Sequence, residues 1–97
     1  MNDQNDDEDG WWRFLALCQQ VESAGDLDAF FRVFLTFEER EALAKRYLIV
    51  RELLKGEKSQ REVSAEFQVS IAKITRGSNE LKQTGDKMRA FLRQNMT

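Results

Sequence analysis

Residues 59–79 read SQREVSAEFQVSIAKITRGSN, and this stretch decides the fold. Ser59 followed three positions later by Glu62 is a capping box, in which the hydroxyl accepts from an early backbone N–H and the carboxylate reaches back to the cap. The helix it opens cannot extend much past Phe67, because Gln68-Val69-Ser70 intervenes and Ser70 can cap a new helix from Ile71. Val63, Phe67, Val69, Ile71 and Ile74 are spaced to pack on one another. The spacing therefore predicts two short helices joined by a three-residue turn, a helix-turn-helix pattern over about residues 60–82. The first turn position of such a motif commonly takes a left-handed backbone, for which glycine is best. Here it is Gln68, which implies some strain or a different turn.

Charge placement gives the pattern a function. In this motif the start of the second helix enters the major groove, where short side chains and one or two bases allow approach to base edges. Arg61 stands near the start of the first helix, Lys73 in the first turn of the second, with the small Ala72 beside it. The same two charges are equally compatible with a solvated surface. The run Ile74 to Asn79 is poor helix material: an interior glycine costs about 1 kcal/mol against alanine, and Thr75, Ser78 and Asn79 are mediocre formers. Pattern alone inclines to a helix ending at Gly77. The alternative is that the bare backbone at Gly77 accepts a flat ligand while the guanidinium of Arg76 stacks on an aromatic ring.

Working outward, Thr36-Phe37-Glu38-Glu39 is a second capping-box pattern, opening a helix that runs to about Lys55 with Gly56 as its left-handed terminator. Leu43, Tyr47, Val50 and Leu54 form an apolar stripe on it, expected to face the core. After a break at Thr84-Gly85, Asp86 to Met96 reads as a final amphipathic helix. Upstream, Trp11 to Val21 and Asp28 to Leu35 are apolar on more than one face, and Trp11, Trp12, Phe14, Phe30, Phe31, Phe34 and Phe37 are seven of the ten aromatic residues. Two short helices cannot bury so much by folding on each other, which argues for a second copy of the chain in an interlocked homodimer. The alternative is packing on the long middle helix in a monomer.

Composition sets the outer bounds. With 97 residues there is room for one domain, 11–97, preceded by an acidic arm, 1–10, expected to be flexible. Histidine and proline are absent and Cys18 is the single cysteine. An all-α fold follows, with no His-based acid/base chemistry, no catalytic constellation, no Cys/His metal site and no intrachain disulfide. The acidic start and the lack of an apolar run of about 18 residues lead us to expect a cytoplasmic chain with no targeting segment and no membrane partner. The net charge of −2 conceals a division: Asp3, Asp6, Asp7, Glu8 and Asp9 face no base in residues 1–10, whereas residues 45–93 carry twelve bases against six acids. A basic half with an acidic tail is one form of a nucleic-acid surface, although a solvated face gives the same count.

The run Leu35 to Leu43 (LTFEEREAL), then Ile49-Val50, Glu52-Leu53-Leu54, Gly56-Glu57, SQRE at 59–62 and ITRGSN at 74–79 closely resembles the bacterial tryptophan repressor family over about residues 33–82. The resemblance implies a six-helix intertwined homodimer with a helix-turn-helix. It would bind palindromic operator DNA with L-tryptophan as corepressor, no other cofactor, and control tryptophan biosynthesis or transport genes. Carried over residue by residue, Arg46 meets the ligand carboxylate, Arg76 covers the opposite face of the indole, Gly77 leaves room beside it, and Thr36 contacts the carboxylate. The carbonyls of Val33 and Leu35 face the ligand amino group across the dimer. Glu80 stands where the best-known members have a serine that also contacts that group, so a carboxylate there can pair with the ammonium or distort the site. For DNA, Arg61 matches a guanine-reading residue and Ile71, Ala72 and Lys73 open the reading helix. Lys73 replaces a shorter polar residue, and Ser64 stands where those members carry lysine. Two other readings share these residues: a relative of the same fold that binds DNA without a ligand, and a helical protein-interaction module whose basic half is only solvated.

Overall fold

A computed structural model describes the backbone of residues 3–96 and the side chains of residues 6–96. It is all-α, with α1 (Asp3–Gln20), α2 (Ala24–Phe34), α3 (Phe37–Lys55), α4 (Gln60–Phe67), α5 (Ile71–Gln83) and α6 (Asp86–Met96) and no strand among the described residues. The chain divides between Phe37 and Glu38 into two compact units. No helix among the described residues is long and apolar enough to cross a membrane.

The first unit is built on aromatic contacts. Phe14 of α1 meets Phe30, Phe31 and Phe34 of α2 at ring-centroid separations of 5.5, 6.0 and 5.2 Å. Such offset and edge-on pairs are the favourable arrangements of ring quadrupoles. Ser23 caps α2 by accepting from the Asp26 N–H, which starts that helix four residues before the expected Asp28. The segment expected to be a flexible arm also differs, since α1 begins at Asp3 and takes in most of it; Met1 and Asn2 lie outside the described residues, as does Thr97. An i,i+4 ion pair, Arg13 Nε to Asp9 at 2.7 Å, supports the added turns. None of the described residues of this unit is fully buried, and Trp12 keeps 67% of its surface exposed.

The second unit has a small core of Ile49, Val63 and Ile74, one each from α3, α4 and α5, with Leu53, Phe67 and Val69 packed against it. The stripe expected to be core on α3 is not the buried one: Leu43 and Tyr47 are exposed at 55% and 48%, and the face turned inward carries Arg46, Ile49 and Leu53. The expected bounds of α3 hold, from its start after Thr36 to its end before Gly56, whose φ is +68°. Gly85 starts α6, and the Arg89 guanidinium donates to the carbonyls of Leu81, Lys82 and Thr84, which closes the C-terminus of α5.

Residues 59–83 fold as the spacing predicts. Ser59 and Glu62 form the complete capping box of α4, and Ser70 caps α5 by accepting from the Lys73 N–H at 3.2 Å. Gln68 takes the left-handed backbone (φ 54°, ψ 48°) without a glycine. The turn is tied from within, because the Ser64 carbonyl accepts from the Val69 N–H at 3.1 Å and its hydroxyl donates to the Val69 carbonyl at 2.5 Å. These bonds offset the cost of a side chain at positive φ. The helix does not end at Gly77 but continues to Gln83, correcting the inclination of the local pattern. Tertiary packing outweighs propensity there: Gly77 is buried against α3.

Candidate functional site

Gly77 packs against side chains of α3. A Cβ built on it would stand 3.2 Å from Nη1 of Arg46, 3.7 Å from Cδ1 of Leu53 and 4.0 Å from Cγ2 of Ile49. A side chain would therefore shift the guanidinium end of Arg46 by a few tenths of an ångström. Arg46 is half-buried, whereas Arg76 and Glu80, one turn apart on α5, are exposed. A guanidinium packed against α5 at a residue without a side chain, with Arg76 next to that residue in sequence, is suited to a small ligand that carries a carboxylate.

Beside this contact the same helices enclose a narrow cleft of about 90 Å³ lined by Ala42, Lys45, Arg46, Ile49, Val69 and Lys73. It adjoins a wider, open groove of about 320 Å³ that shares Ala42, Lys45, Val69 and Lys73 and is bordered by Glu38 and Glu41. Lys45, only counted among the bases in the sequence, has its charge paired with Glu41 at 3.9 Å, one helical turn away. Val33, Leu35 and Thr36 belong to the first unit, where Val33 is 79% exposed and the Leu35 N–H donates to the Phe31 carbonyl at 2.7 Å. They are not joined to the Arg46–Gly77 contact within one unit.

The candidate nucleic-acid residues lie on the α4–α5 hairpin. Arg61 is exposed in the first turn of α4, and Ile71, Ala72 and Lys73 are exposed in the first turn of α5. An isoleucine 46% exposed at a helix start is an apolar group available to a base methyl. Thr75 donates to the Gln60 side chain at 3.1 Å, which links the two helices at their outer side. Ser64, expected at the interface, is half-buried with its hydroxyl committed to Val69, so its role in the structure is to close the turn.

An ionic cluster missed by sequence adjoins the hairpin. Glu52 is buried, 5% exposed, near the end of α3, with Arg51 at 3.6 Å, Lys55 at 3.9 Å and Lys58 at 3.6 Å. Lys58 also donates to Glu66 of α4. That bond, then the fields of Glu52 and Glu66, raises the Lys58 ammonium above its ordinary pKa against a desolvation that lowers it. Across the cap, hydrogen bonds from the Ser59 N–H and then the Ser59 side chain hold Glu62 below the usual glutamate value, with help from the charge of Lys58. The sequence signal was available: Glu52 interrupts the apolar run from Tyr47 to Leu54.

Six helices, with a capped three-residue turn between α4 and α5, make a small all-α chain, and its relatives show its family. The sequence model of the Trp repressor protein family matches residues 9–96. The chain is 47% identical over 90 residues to a Trp operon repressor homolog of Chlamydia caviae, covering 93% of this chain and 89% of that one. It is 46% identical over 90 residues to the homolog of Chlamydia trachomatis, covering 93% and 96%. Against the homolog of Vibrio vulnificus it is 46% identical over 84 residues, covering 87% and 82%. The chain belongs to the Trp repressor family, a family of transcription regulators and not of enzymes.

Proposed function

We propose that the protein is a homodimeric repressor that binds palindromic operator DNA when L-tryptophan occupies a pocket in each subunit. The observation that carries this reading is the Arg46–Gly77 contact. It brings the Arg46 guanidinium against α5 at the residue next to Arg76 in sequence, alongside the cleft lined by Ala42, Arg46 and Ile49. Arg46 takes the ligand carboxylate, Arg76 stacks on the exposed face of the ring, and Glu80 pairs with the ammonium. Thr36 also contacts the carboxylate, and the carbonyls of Val33 and Leu35 face the ammonium across the dimer.

The α4–α5 hairpin is the helix-turn-helix, with Arg61 and the Ile71-Ala72-Lys73 start of α5 facing the major groove. Its two copies must sit about one DNA turn, roughly 34 Å, apart, a geometry for which Trp repressors are themselves a standard example. Exposed aromatics on α1 and α2, and the exposed Leu43 and Tyr47 of α3, support a second copy as the missing cover. Because the ligand lies between α3 and α5, its occupancy favours one arrangement of the reading helix. It gates binding by its differential affinity for that arrangement, with no chemistry. Gel-shift titration of wild type and Arg76→Ala with L-tryptophan tests the pocket. The variant should remain a folded dimer and lose the tryptophan response; a retained response refutes the assignment. DNA binding by wild type that ignores tryptophan would favour a ligand-independent relative, with Glu80 as the residue that altered the site.

A further inference from the structure

We propose that Lys58 is a positioning residue for the α4–α5 hairpin, bridging the buried Glu52 of α3 and Glu66 of α4 and so fixing how Arg61 and the start of α5 are presented. The inference rests on the DNA-binding reading and extends it to a residue outside the interface. Glu52 is 5% exposed, and a buried carboxylate left uncompensated is strongly disfavoured. Arg51 and Lys55 neutralise it from within α3, which ties that helix to nothing else. Of its described ion pairs, only the one with Lys58 leaves α3.

Lys58 lies in the four-residue connector, immediately before the Ser59 cap, yet its ammonium bonds Glu66 near the far end of α4. Its side chain therefore braces α4 over most of its length. The apolar hold on α4 is thin: Val63 is its one fully buried residue, with Phe67 half-buried beside it. The Thr75–Gln60 hydrogen bond ties α4 to α5, and the Lys58 bridge adds a polar attachment toward Glu52 of α3.

Duplex affinity at saturating L-tryptophan, measured by fluorescence anisotropy over a range of salt, separates this role from a phosphate contact. Lys58→Gln and Glu66→Gln should each weaken binding about fivefold, the double variant should be no weaker than either single, and Lys58→Arg should restore most of the affinity. The slope of log affinity against log salt should be unchanged in Lys58→Gln, because the ammonium faces carboxylates and not phosphates. In the free protein, hydrogen exchange of α4 amides should accelerate in that variant while α2 amides keep their rates. A slope reduced by about one would make Lys58 a phosphate ligand and overturn the proposal. Additive single effects, or affinities equal to wild type, would also overturn it. If wild type binds no duplex, the DNA-binding reading falls, and α4 exchange then decides the brace alone: unaltered rates in Lys58→Gln refute it.

Discussion

Nη1 of Arg46 lies 3.2 Å from the position a Cβ on Gly77 would take, so the guanidinium of α3 occupies the space that the missing side chain leaves on α5. The two effects of filling that space have opposite sign. Gly77→Ala gains helix propensity of about 1 kcal/mol, and the nearest atom it meets is the free end of a flexible side chain, which can shift a few tenths of an ångström. Thermal unfolding should therefore show an equal or slightly higher midpoint. Calorimetry should show tryptophan binding weakened about tenfold, because the displaced fork no longer meets the carboxylate. Unchanged affinity would separate Gly77 from the pocket.

Ile74 is fully buried and, with Ile49 and Val63, forms the core that joins α3, α4 and α5. Ile74→Ala should cost about 2–5 kcal/mol, a large part of the stability of a small domain. Urea unfolding should show a lower midpoint, or a broadened transition if the hairpin detaches first.

Glu62 titrates below its ordinary value in the folded chain because Ser59 donates to its carboxylate. A depressed folded pKa contributes stability above the unfolded pKa, and this is lost as pH falls through the folded one. Hydrogen exchange of α4 should thus accelerate on acidification through and below the ordinary glutamate range. Glu62→Gln should be less protected at neutral pH and lack that part of the pH dependence.

Trp12 is 67% exposed on α1, and the first unit has no fully buried residue among those described. Sedimentation equilibrium should show a dimer for wild type, and Trp12→Glu should weaken association by placing a carboxylate in an apolar interface. A wild-type monomer would leave the exposed aromatics without the cover proposed for them.

Local signals were legible where they arose from hydrogen bonding within a few residues. Ser59–Glu62, Ser70 and Gly56 each marked a helix end correctly, and the demand for a left-handed residue fell on Gln68 as the turn length required. Gly77 could not be settled locally, since its cost to the helix is repaid by α3, a partner 24 or more residues away in sequence. The stripe Leu43, Tyr47, Val50 and Leu54 was sound as a pattern, but periodicity does not say which molecule covers it. The buried face of α3 instead begins with a charged residue, Arg46, which hydrophobic patterning passes over. Glu52 was passed over in the same way: with Arg51 it breaks the apolar run from Tyr47 to Leu54, but the three cations that accompany its burial come together only in the fold.

Ligand-gated DNA binding is the central claim, and linkage provides its most direct test. The affinity of wild type for a palindromic duplex should rise with L-tryptophan by some factor, and the affinity for L-tryptophan should rise by the same factor when the duplex is bound. Equal duplex affinity with and without tryptophan, at a salt concentration where binding is measurable, would contradict the account.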